Sequence, residues 1–363
     1  MQHFIYYHID FSLFLPANTQ TEQNMKRLFI CILLLFPLYA PAEVVNVYNW
    51  SNYMPDIVLS EFTEETGIQV NYAQYDSNEA MYAKLKGNPN VGYDVIFPSS
   101  FYIEKMAQEG MLLPLNKSLI PNSKELKPEL MRQPFDAHNT YSLPYIWGVT
   151  GIVYNDRYYQ PENIKRWGDL WNPLYKNKLL LMNDEREVFS IALIKLGYSI
   201  NDRNKEHIRQ AYLLLKKLMP NIRVINTVSA NNLFLDEDIH LGMNWNGETL
   251  QIQKENPHIH FIYPEKFALW IDCVAVPANA PHPTAAMKFI NFIMSAKISA
   301  QIANTQDYSP TNSKAMALMP SEKRSNPTFN PPPSVLARAE MQNSVGDSIR
   351  WYTYYWERLK LSI

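Results

Sequence analysis

Short apolar segments alternate with amphipathic ones along this chain, and this alternation limits the fold more than any other feature. A helix at 55–65 is predicted to end at Gly67, and Asp76 and Glu79 have the spacing of a capping box for a helix that ends at Gly87. The strands around these helices are predicted at 44–49, 68–75 and 93–97. This βαβαβ order predicts a mostly parallel sheet with helices on both faces, where ligands bind at the carboxyl ends of the strands.

A second series of alternating elements begins after Trp147 and predicts a second lobe. Its strands are predicted at 148–154, 178–182, 223–225, 241–245 and 260–263, and its helices at 188–196 and 205–218. A strand at 268–277, one helix at 284–303, a proline-rich passage and a closing amphipathic helix at 348–359 follow. The order of elements therefore predicts an α/β protein with two lobes.

The first 42 residues are predicted to be an N-terminal extension and a cleaved signal peptide, both of which the mature protein lacks. A basic pair precedes an apolar run at 28–39, and residues 40–42 have the small side chains of a secretory cleavage site. The run is shorter than the roughly 20 apolar residues that a membrane span requires. We therefore predict a soluble, exported protein that begins near Glu43. Residues before Met25 match no targeting pattern, which leaves Met25 as an alternative to Met1 for the start of translation.

Cysteine content and charge exclude several classes of protein. Cys31 falls in the segment predicted to be removed, so Cys273 would remain alone, without a disulfide scaffold or a cysteine-rich zinc site. The net charge of −2, without clustered basic residues, argues against binding of nucleic acid. The 8 Trp and 23 Tyr residues exceed the needs of a core, so some are expected to line a ligand site or an interface.

Three separated segments carry the residue types that bind a cation. They are Tyr48-Asn49-Trp50-Ser51-Asn52-Tyr53, the stretch 183–189 with its acidic residues, and Trp270-Ile271-Asp272. An ammonium group is stabilised by carboxylates that accept its hydrogen bonds and by the faces of aromatic rings. Together these segments suggest a receptor for a small polycation.

The spacing of the acidic residues predicts how their side chains are directed. Asp184 and Glu187 are three residues apart at the start of a helix, so both carboxylates should reach one ammonium group, although Asp-x-x-Glu is also a capping box. Arg186 should point elsewhere and pack or pair. Trp270 and Asp272 are two apart in a strand and should leave the same face, which joins a ring to a carboxylate.

The sequence resembles the spermidine/putrescine-binding proteins of bacterial ABC transporters over essentially all of the mature chain. The resemblance is carried by the segments 48–53, 79–86, 144–148, 186–189, 241–247 and 270–272. It implies a periplasmic, two-lobed solute-binding protein that closes on a polyamine, delivers it to a membrane permease, acts as a monomer and has neither cofactor nor enzymatic activity. By the same resemblance, one lobe comprises 43–148 and 269–316, and the other 149–268 and 317–363.

The resemblance also implies which residues bind the polyamine. The implied set is Trp50, Ser51, Tyr53, Phe101, Asp184, Glu187, Thr227, Trp245, Trp270, Asp272, Tyr308 and Gln342. Trp50, Tyr53 and Trp245 would be the walls of the site, and Asp272 would bind the secondary or central amine. Asp184, Glu187, Trp245 and Gln342 would come from the second lobe, so a ligand that bridges the lobes would favour the closed state.

Two positions depart from the spermidine receptors that the chain resembles. Phe101 stands where they carry a tyrosine, and Asn52 stands where an acid is common, so one hydroxyl and one charge are missing. Asp184, Trp270 and Gln342 are retained, which favours the spermidine-preferring branch over the putrescine-only branch.

Other functions remain as alternatives. The same fold binds ferric ion in related receptors through tyrosines, and paired carboxylates also serve glycoside hydrolysis, although no GxSxG, HExxH, P-loop or GxGxxG motif accompanies them here. His258 and His260 alternate on a predicted strand and could share a metal, but solvated strand residues are the favoured interpretation.

Overall fold

The structure is a computed structural model that describes residues 43–51 and 53–361. The predicted signal segment, both proposed translation starts and Asn52 lie outside those residues. No helix of the described part is long and apolar enough to cross a membrane.

The described residues form ten strands and twelve α-helices that alternate along much of the chain. The strands are β1 (Val44–Trp50), β2 (Gln69–Tyr75), β3 (Val95–Ile96), β4 (Ser142–Asn155), β5 (Leu179–Leu181), β6 (Ile222–Ile225), β7 (Leu241–Trp245), β8 (Ile259–Ile262), β9 (Phe267–Ala275) and β10 (Ala339–Met341). The helices are α1 (Asp56–Thr66), α2 (Asn78–Gly87), α3 (Ser100–Gln108), α4 (Glu185–Leu196), α5 (Lys205–Leu218), α6 (Ala230–Leu235), α7 (Asn246–Glu255), α8 (Pro283–Ile293), α9 (Ala296–Gln306), α10 (Ser321–Ser325), α11 (Pro333–Leu336) and α12 (Ile349–Lys360).

The long strand β4 connects two halves of one mixed sheet. The strand order is β2-β1-β3-β9-β4-β7-β5-β6, with β10 paired to β9 and β8 paired to β4. Up to Val149, β4 pairs antiparallel with β9, and from Thr150 it pairs antiparallel with β7. The outer pairs β1–β2, β1–β3, β5–β6 and β5–β7 are parallel, as the alternation predicts.

The sequence-based element bounds are wrong at β4. A strand beginning at Gly148 was expected, but the strand begins at Ser142 and all of its 14 residues are buried. A strand covered on both faces has no regular alternation of apolar and polar residues, so the sequence pattern does not mark where it begins. Because β4 and β9 run antiparallel, the sheet is mixed rather than mostly parallel in its centre.

Two local predictions about helices are also corrected. The cap of α2 is Ser77, whose hydroxyl accepts from the Ala80 N–H at 3.1 Å, and Asp76 instead accepts from the Ser51 hydroxyl at 2.6 Å. The single helix predicted at 284–303 is two helices, because Ser295 leaves the helical region with ψ 150° and starts α9 as its N-cap residue. Serine favours such caps over helix interiors.

Apolar clusters cover both faces of each half of the sheet. One cluster in the first half contains Trp270, and the cluster on the opposite face contains Ile271 and Cys273. In the second half, α4, α5 and α12 pack on one face around residues such as Phe189 and Tyr352. Both faces are therefore closed to solvent, and polar side chains near the strand ends stand out against this core.

Candidate functional site

Asp272 lies on β9 with both carboxylate oxygens already hydrogen-bonded. The Ser99 hydroxyl donates to Oδ1 at 2.6 Å, and the Tyr53 hydroxyl donates to Oδ2 at 2.7 Å. The residue is only 7% exposed, and this burial raises the pKa of Asp272 to about 6, which the two hydroxyl donors partly offset. Asp272 is therefore mostly anionic at neutral pH, in a setting prepared by two neighbours.

Trp270 leaves the same face of β9 as Asp272, as the spacing predicts. Its indole lies across Gly148 of β4, where an added Cβ would come within 2.4 Å of the ring. The ring meets Tyr308 at 5.3 Å between centroids and Trp245 at 5.9 Å, both edge to face. The absence of a side chain at Gly148 thus allows a cluster of three aromatic rings beside the Asp272 carboxylate.

A second glycine allows the start of α7 to approach Tyr308. A Cβ at Gly247 would lie 2.4 Å from the Tyr308 ring, so only glycine permits this contact. Tyr308 is 2% exposed, and burial followed by the charge of Glu248 holds its pKa well above the ordinary value. Trp245, the third ring of this cluster, is the last residue of β7 and directly precedes α7.

Asp184 and Glu187 lie at the start of α4, and Asp184 caps the helix. Its Oδ1 accepts from the backbone N–H groups of Arg186 at 2.8 Å and Glu187 at 3.0 Å. The capping interpretation of this pair is therefore confirmed for Asp184. The Glu187 side chain does not return the contact and points into the protein, with 4% of its surface exposed.

Glu187 is the least satisfied acid of the group. Its Oε2 is buried and has no hydrogen-bond partner among the described residues. Burial and, second, the charge of Asp184 raise the pKa of Glu187 to about 8, while the nearby Thr150 and Trp245 side chains oppose that rise. The charge of Asp184 also raises the pKa of Asp272, so the two acidic groups lie close enough to interact.

Trp50 and Tyr53 line the first half of the sheet near Asp272. Their rings are 6.5 Å apart, and the Trp50 ring lies 4.8 Å from Tyr75. The indole N–H of Trp50 donates to the Phe97 carbonyl at 2.8 Å, which holds the ring at the end of β1. Both predicted wall residues are half-buried, so part of each ring stays accessible.

Gln342 and Phe101 are held by contacts from different parts of the chain. The Gln342 N–H donates to the Leu269 carbonyl at 2.8 Å, and its carbonyl accepts from the Ser100 hydroxyl at 2.8 Å. Its side-chain Nε2 is buried and unpartnered among the described residues. The Phe101 ring lies 5.7 Å from the Arg186 guanidinium.

Two of the predicted ligand-binding hydroxyl residues, Ser51 and Thr227, form hydrogen bonds away from the two acids. Ser51 is exposed and donates to Asp76, and Thr227 accepts from the Asn183 N–H at 2.9 Å. Neither contact involves Asp272 or Glu187. Tyr53 contacts Asp272 on β9, and Trp245 lies beside Glu187 on α4. Trp270 joins Trp245 to Tyr308.

Several neighbours of the candidate site residues were not predicted from the sequence. Ser99 and Thr150 contribute polar groups beside Asp272 and Glu187, and Tyr75 packs on Trp50. Ser99 directly follows the third strand, where ligands bind in this architecture, so its position was a usable signal. Thr150 lies inside an apolar run, and only the pairing of β4 with Trp245 places it beside the acids.

Two other polar places in the protein lack the features of this site. His258 and His260 each hydrogen-bond one oxygen of Asp156, at 2.8 and 2.7 Å, and no cluster of three or more potential metal ligands occurs among the described residues. A cavity of about 270 Å³ is lined by residues that include Glu65, Lys288 and Lys297, but by no tryptophan. The histidine pair contacts a single carboxylate, and the cavity lacks the tryptophan rings of the candidate site.

Comparison with known proteins places the chain among bacterial receptors. The profile of the bacterial extracellular solute-binding proteins matches residues 58–331. The chain is 41% identical over 319 residues to the spermidine/putrescine-binding periplasmic protein of Salmonella typhimurium, covering 88% of this chain and 92% of that protein. It is 30% identical to the putrescine-binding periplasmic protein PotF of Escherichia coli, covering 89% and 93%.

A solved structure shows the same fold. The structure described as a putative spermidine/putrescine ABC transporter from Listeria monocytogenes superposes with a TM-score of 0.84 at 34% identity, covering 88% of this chain and all of that one. The two-lobed α/β fold predicted from the sequence is thereby confirmed.

Proposed function

The chain belongs to the bacterial extracellular solute-binding proteins, and from that premise we propose that it binds a linear polyamine for an ABC importer. Spermidine or putrescine is the ligand, the periplasm is the location, and binding and release constitute the whole activity, without catalysis. The relatives named for these two polyamines support the ligand class.

One observation carries the proposal: the Glu187 carboxylate is buried beside Asp184 with an oxygen that nothing in the described chain satisfies. A buried, unpaired carboxylate is unfavourable unless a cation or donor completes it. An ammonium group supplies both a positive charge and N–H donors. Asp272 offers a second anionic position, and Trp245 and Trp270 lie beside the two.

This arrangement accounts for the recognition of a linear polyamine with several charges. Each ammonium group donates to a carboxylate, and the methylenes between the charges lie against the indole faces, which also attract the cations. Recognition therefore depends on the spacing of charges as well as on their number. Retention of Asp184, Trp270 and Gln342 favours spermidine over putrescine.

The alternatives are less compatible with these residues. Ferric ion in such receptors is bound by tyrosinate oxygens, but burial holds the pKa values of Tyr53 and Tyr308 well above the ordinary value, which keeps their hydroxyls protonated. A carboxylate-based hydrolase would use its acids to activate water, whereas here aromatic rings lie beside them.

Lobe closure is part of the proposal. We infer lobes of 43–148 with 269–316 and of 149–268 with 317–363, and β4 changes its pairing partner from β9 to β7 between Val149 and Thr150, next to the first of these boundaries. A ligand bound by Asp272 of one lobe and Glu187 of the other favours the closed state by its contacts with both. A membrane permease recognises that state, and the receptor acts as a monomer.

The test is isothermal titration of the protein with spermidine, putrescine and uncharged 1,4-butanediol, followed by competition between the two amines. Micromolar or tighter binding of an amine without binding of the diol is expected. Absence of heat with both amines, together with a response to ferric citrate, would overturn the proposal. Much tighter binding of putrescine than of spermidine would overturn the preference alone.

A further inference from the structure

Arg186 is a fully buried cation directly beneath a site proposed for cations. It lies between Asp184 and Glu187 on α4 and is 2% exposed. Its guanidinium makes no ion pair with a carboxylate of the described residues. It donates instead to neutral oxygens, Asn343 O at 3.0 Å, Asn201 Oδ1 at 3.0 Å and Ile200 O at 3.3 Å.

A buried charge with only neutral acceptors is costly, so its retention calls for a physical reason. The guanidinium lies between two aromatic rings, 5.7 Å from Phe101 on α3 and 5.4 Å from Tyr352 on α12. These contacts stabilise the cation but do not neutralise it. Its positive field therefore extends to the acids beside it.

The donors of Arg186 also hold the segment that carries Gln342. Arg186 donates to the Asn343 carbonyl. Asn201, a second of its three acceptors, accepts from the Asn343 N–H at 2.8 Å and donates to the Met341 carbonyl at 2.8 Å. The backbone on both sides of Gln342 is thus fixed to Arg186 directly or through Asn201. The buried amide of Gln342 remains free of a partner.

The charged and titratable groups around the acids come from several elements. They are Glu185 and Arg186 on α4, Glu79 on α2, Tyr102 on α3, Asp272 on β9 and Tyr352 on α12. Apart from Arg186, each of these groups is neutral or negative. Arg186 is therefore the cation that lowers the pKa values of Asp184, Glu185 and Glu187, against the larger effect of burial.

We propose that Arg186 is a positioning residue of the amine site, whose charge favours the ionised form of the Asp184–Glu187 pair and whose hydrogen bonds fix Gln342 for the ligand. This inference rests on the proposed function. It has two separable parts, one that depends on charge and one that depends on the guanidinium fork, whose several N–H groups reach three acceptors at once.

The charge part is tested by the affinity for spermidine between pH 6 and 9.5. Without the cation the acids protonate more readily, so Arg186→Met should lose about tenfold or more at pH 7, and the deficit should shrink as the pH rises. Arg203→Met is the matched control, because Arg203 donates to the Ser344 carbonyl of the same segment at 2.9 Å from an exposed position. The control should follow the wild-type profile.

Arg186→Lys tests the fork and keeps the test valid if Arg186→Met does not fold. Lysine retains the charge but cannot reach three oxygens, so its profile should be parallel to that of the wild type at a lower affinity. When Arg186→Lys is combined with Gln342→Ala, the loss of affinity should be less than additive, because both changes act on the contact between Gln342 and the ligand.

Two results would overturn the inference while leaving the proposed function intact. One is an Arg186→Met deficit that is constant across pH, and the other is full additivity of Arg186→Lys and Gln342→Ala in a wild type that binds spermidine. A wild type that binds no amine would instead overturn the proposed function, and this inference with it.

Discussion

Asp272 and Glu187 are both buried acids of one candidate site, but their surroundings differ. Asp272 receives hydroxyl donors at both oxygens, and its pKa rises only to about 6. Glu187 has an unpartnered oxygen and a like charge beside it, and its pKa rises to about 8. The hydrogen bonds of Asp272 are in place before a ligand binds, whereas Glu187 gains its missing partner only from the ligand.

The difference follows from the elements that carry the two residues. Asp272 is on a strand beside the ends of two other segments, so Ser99 and Tyr53 can both reach it. Glu187 is in the first turn of a helix, where Asp184 already caps the free backbone N–H groups. The comparison teaches that two carboxylates of one site can have separate roles. One is held ionised by hydrogen bonds before a cation binds, and the other selects for a cation because it lacks a partner.

The largest expected effect is that of Asp272→Asn on affinity. Asp272 is mostly ionised at pH 7.5, so the change removes a buried charge that contacts an ammonium group, and about a hundredfold loss is expected, or about 3 kcal/mol. Isothermal titration with spermidine measures the effect. A loss below about fivefold would show that Asp272 does not contact the ligand.

Glu187→Gln should separate affinity from stability. The affinity should fall by about tenfold, while the ligand-free protein should become more stable, by on the order of 1 kcal/mol at pH 7. The sign follows from the raised pKa: the stability contributed by protonated Glu187 is present at low pH and is lost as the pH rises through about 8. The gain should therefore be larger at pH 9 than at pH 6.

Urea unfolding at both pH values measures this gain, with the exposed Glu64→Gln as the control. A variant that loses stability equally at both pH values would mean that Glu187 is a structural acid, and the contrast with Asp272 would disappear.

Proton release on binding is the next effect in size. Glu187 is mostly protonated at pH 7 in the free protein, and an ammonium group beside it would lower its pKa, so about one proton or less should leave when spermidine binds. Titration in buffers of different ionisation enthalpy counts these protons. The count should drop in Glu187→Gln and change little in Tyr53→Phe, and an unchanged count in Glu187→Gln would contradict the assignment.

The smallest expected effect is that of removing one donor from Asp272. Tyr53→Phe should weaken binding by about threefold to tenfold, and more at pH 6 than at pH 8, because the carboxylate then protonates at a higher pH. Tyr72→Phe is the control, since the Tyr72 hydroxyl has no hydrogen-bond partner among the described residues. Equal losses in both variants would remove the role given to Tyr53.

The sequence predicted many of the elements and some local features around the candidate site, and it failed elsewhere. The same-face placement of Trp270 and Asp272 and the cap at Asp184 follow from local periodicity, and both are present. The start of β4 and the position of Thr150 beside Glu187 depend on which segments pair, and local patterns do not record that. The cap at Ser295 and the position of Ser99 after the third strand were local signals that the prediction missed. The roles of the twelve proposed ligand-binding residues remain predictions.

The thiol of Cys273 can report how often the centre of the sheet unfolds. Its side chain is fully buried on the face of β9 opposite Asp272, and burial holds the pKa of the thiol well above its usual value. A thiol in that state is a poor nucleophile, so oxidants and alkylating reagents reach it only when the sheet itself opens. The rate of its labelling therefore measures how often the sheet centre unfolds, and a bound ligand should slow that rate in proportion to its affinity.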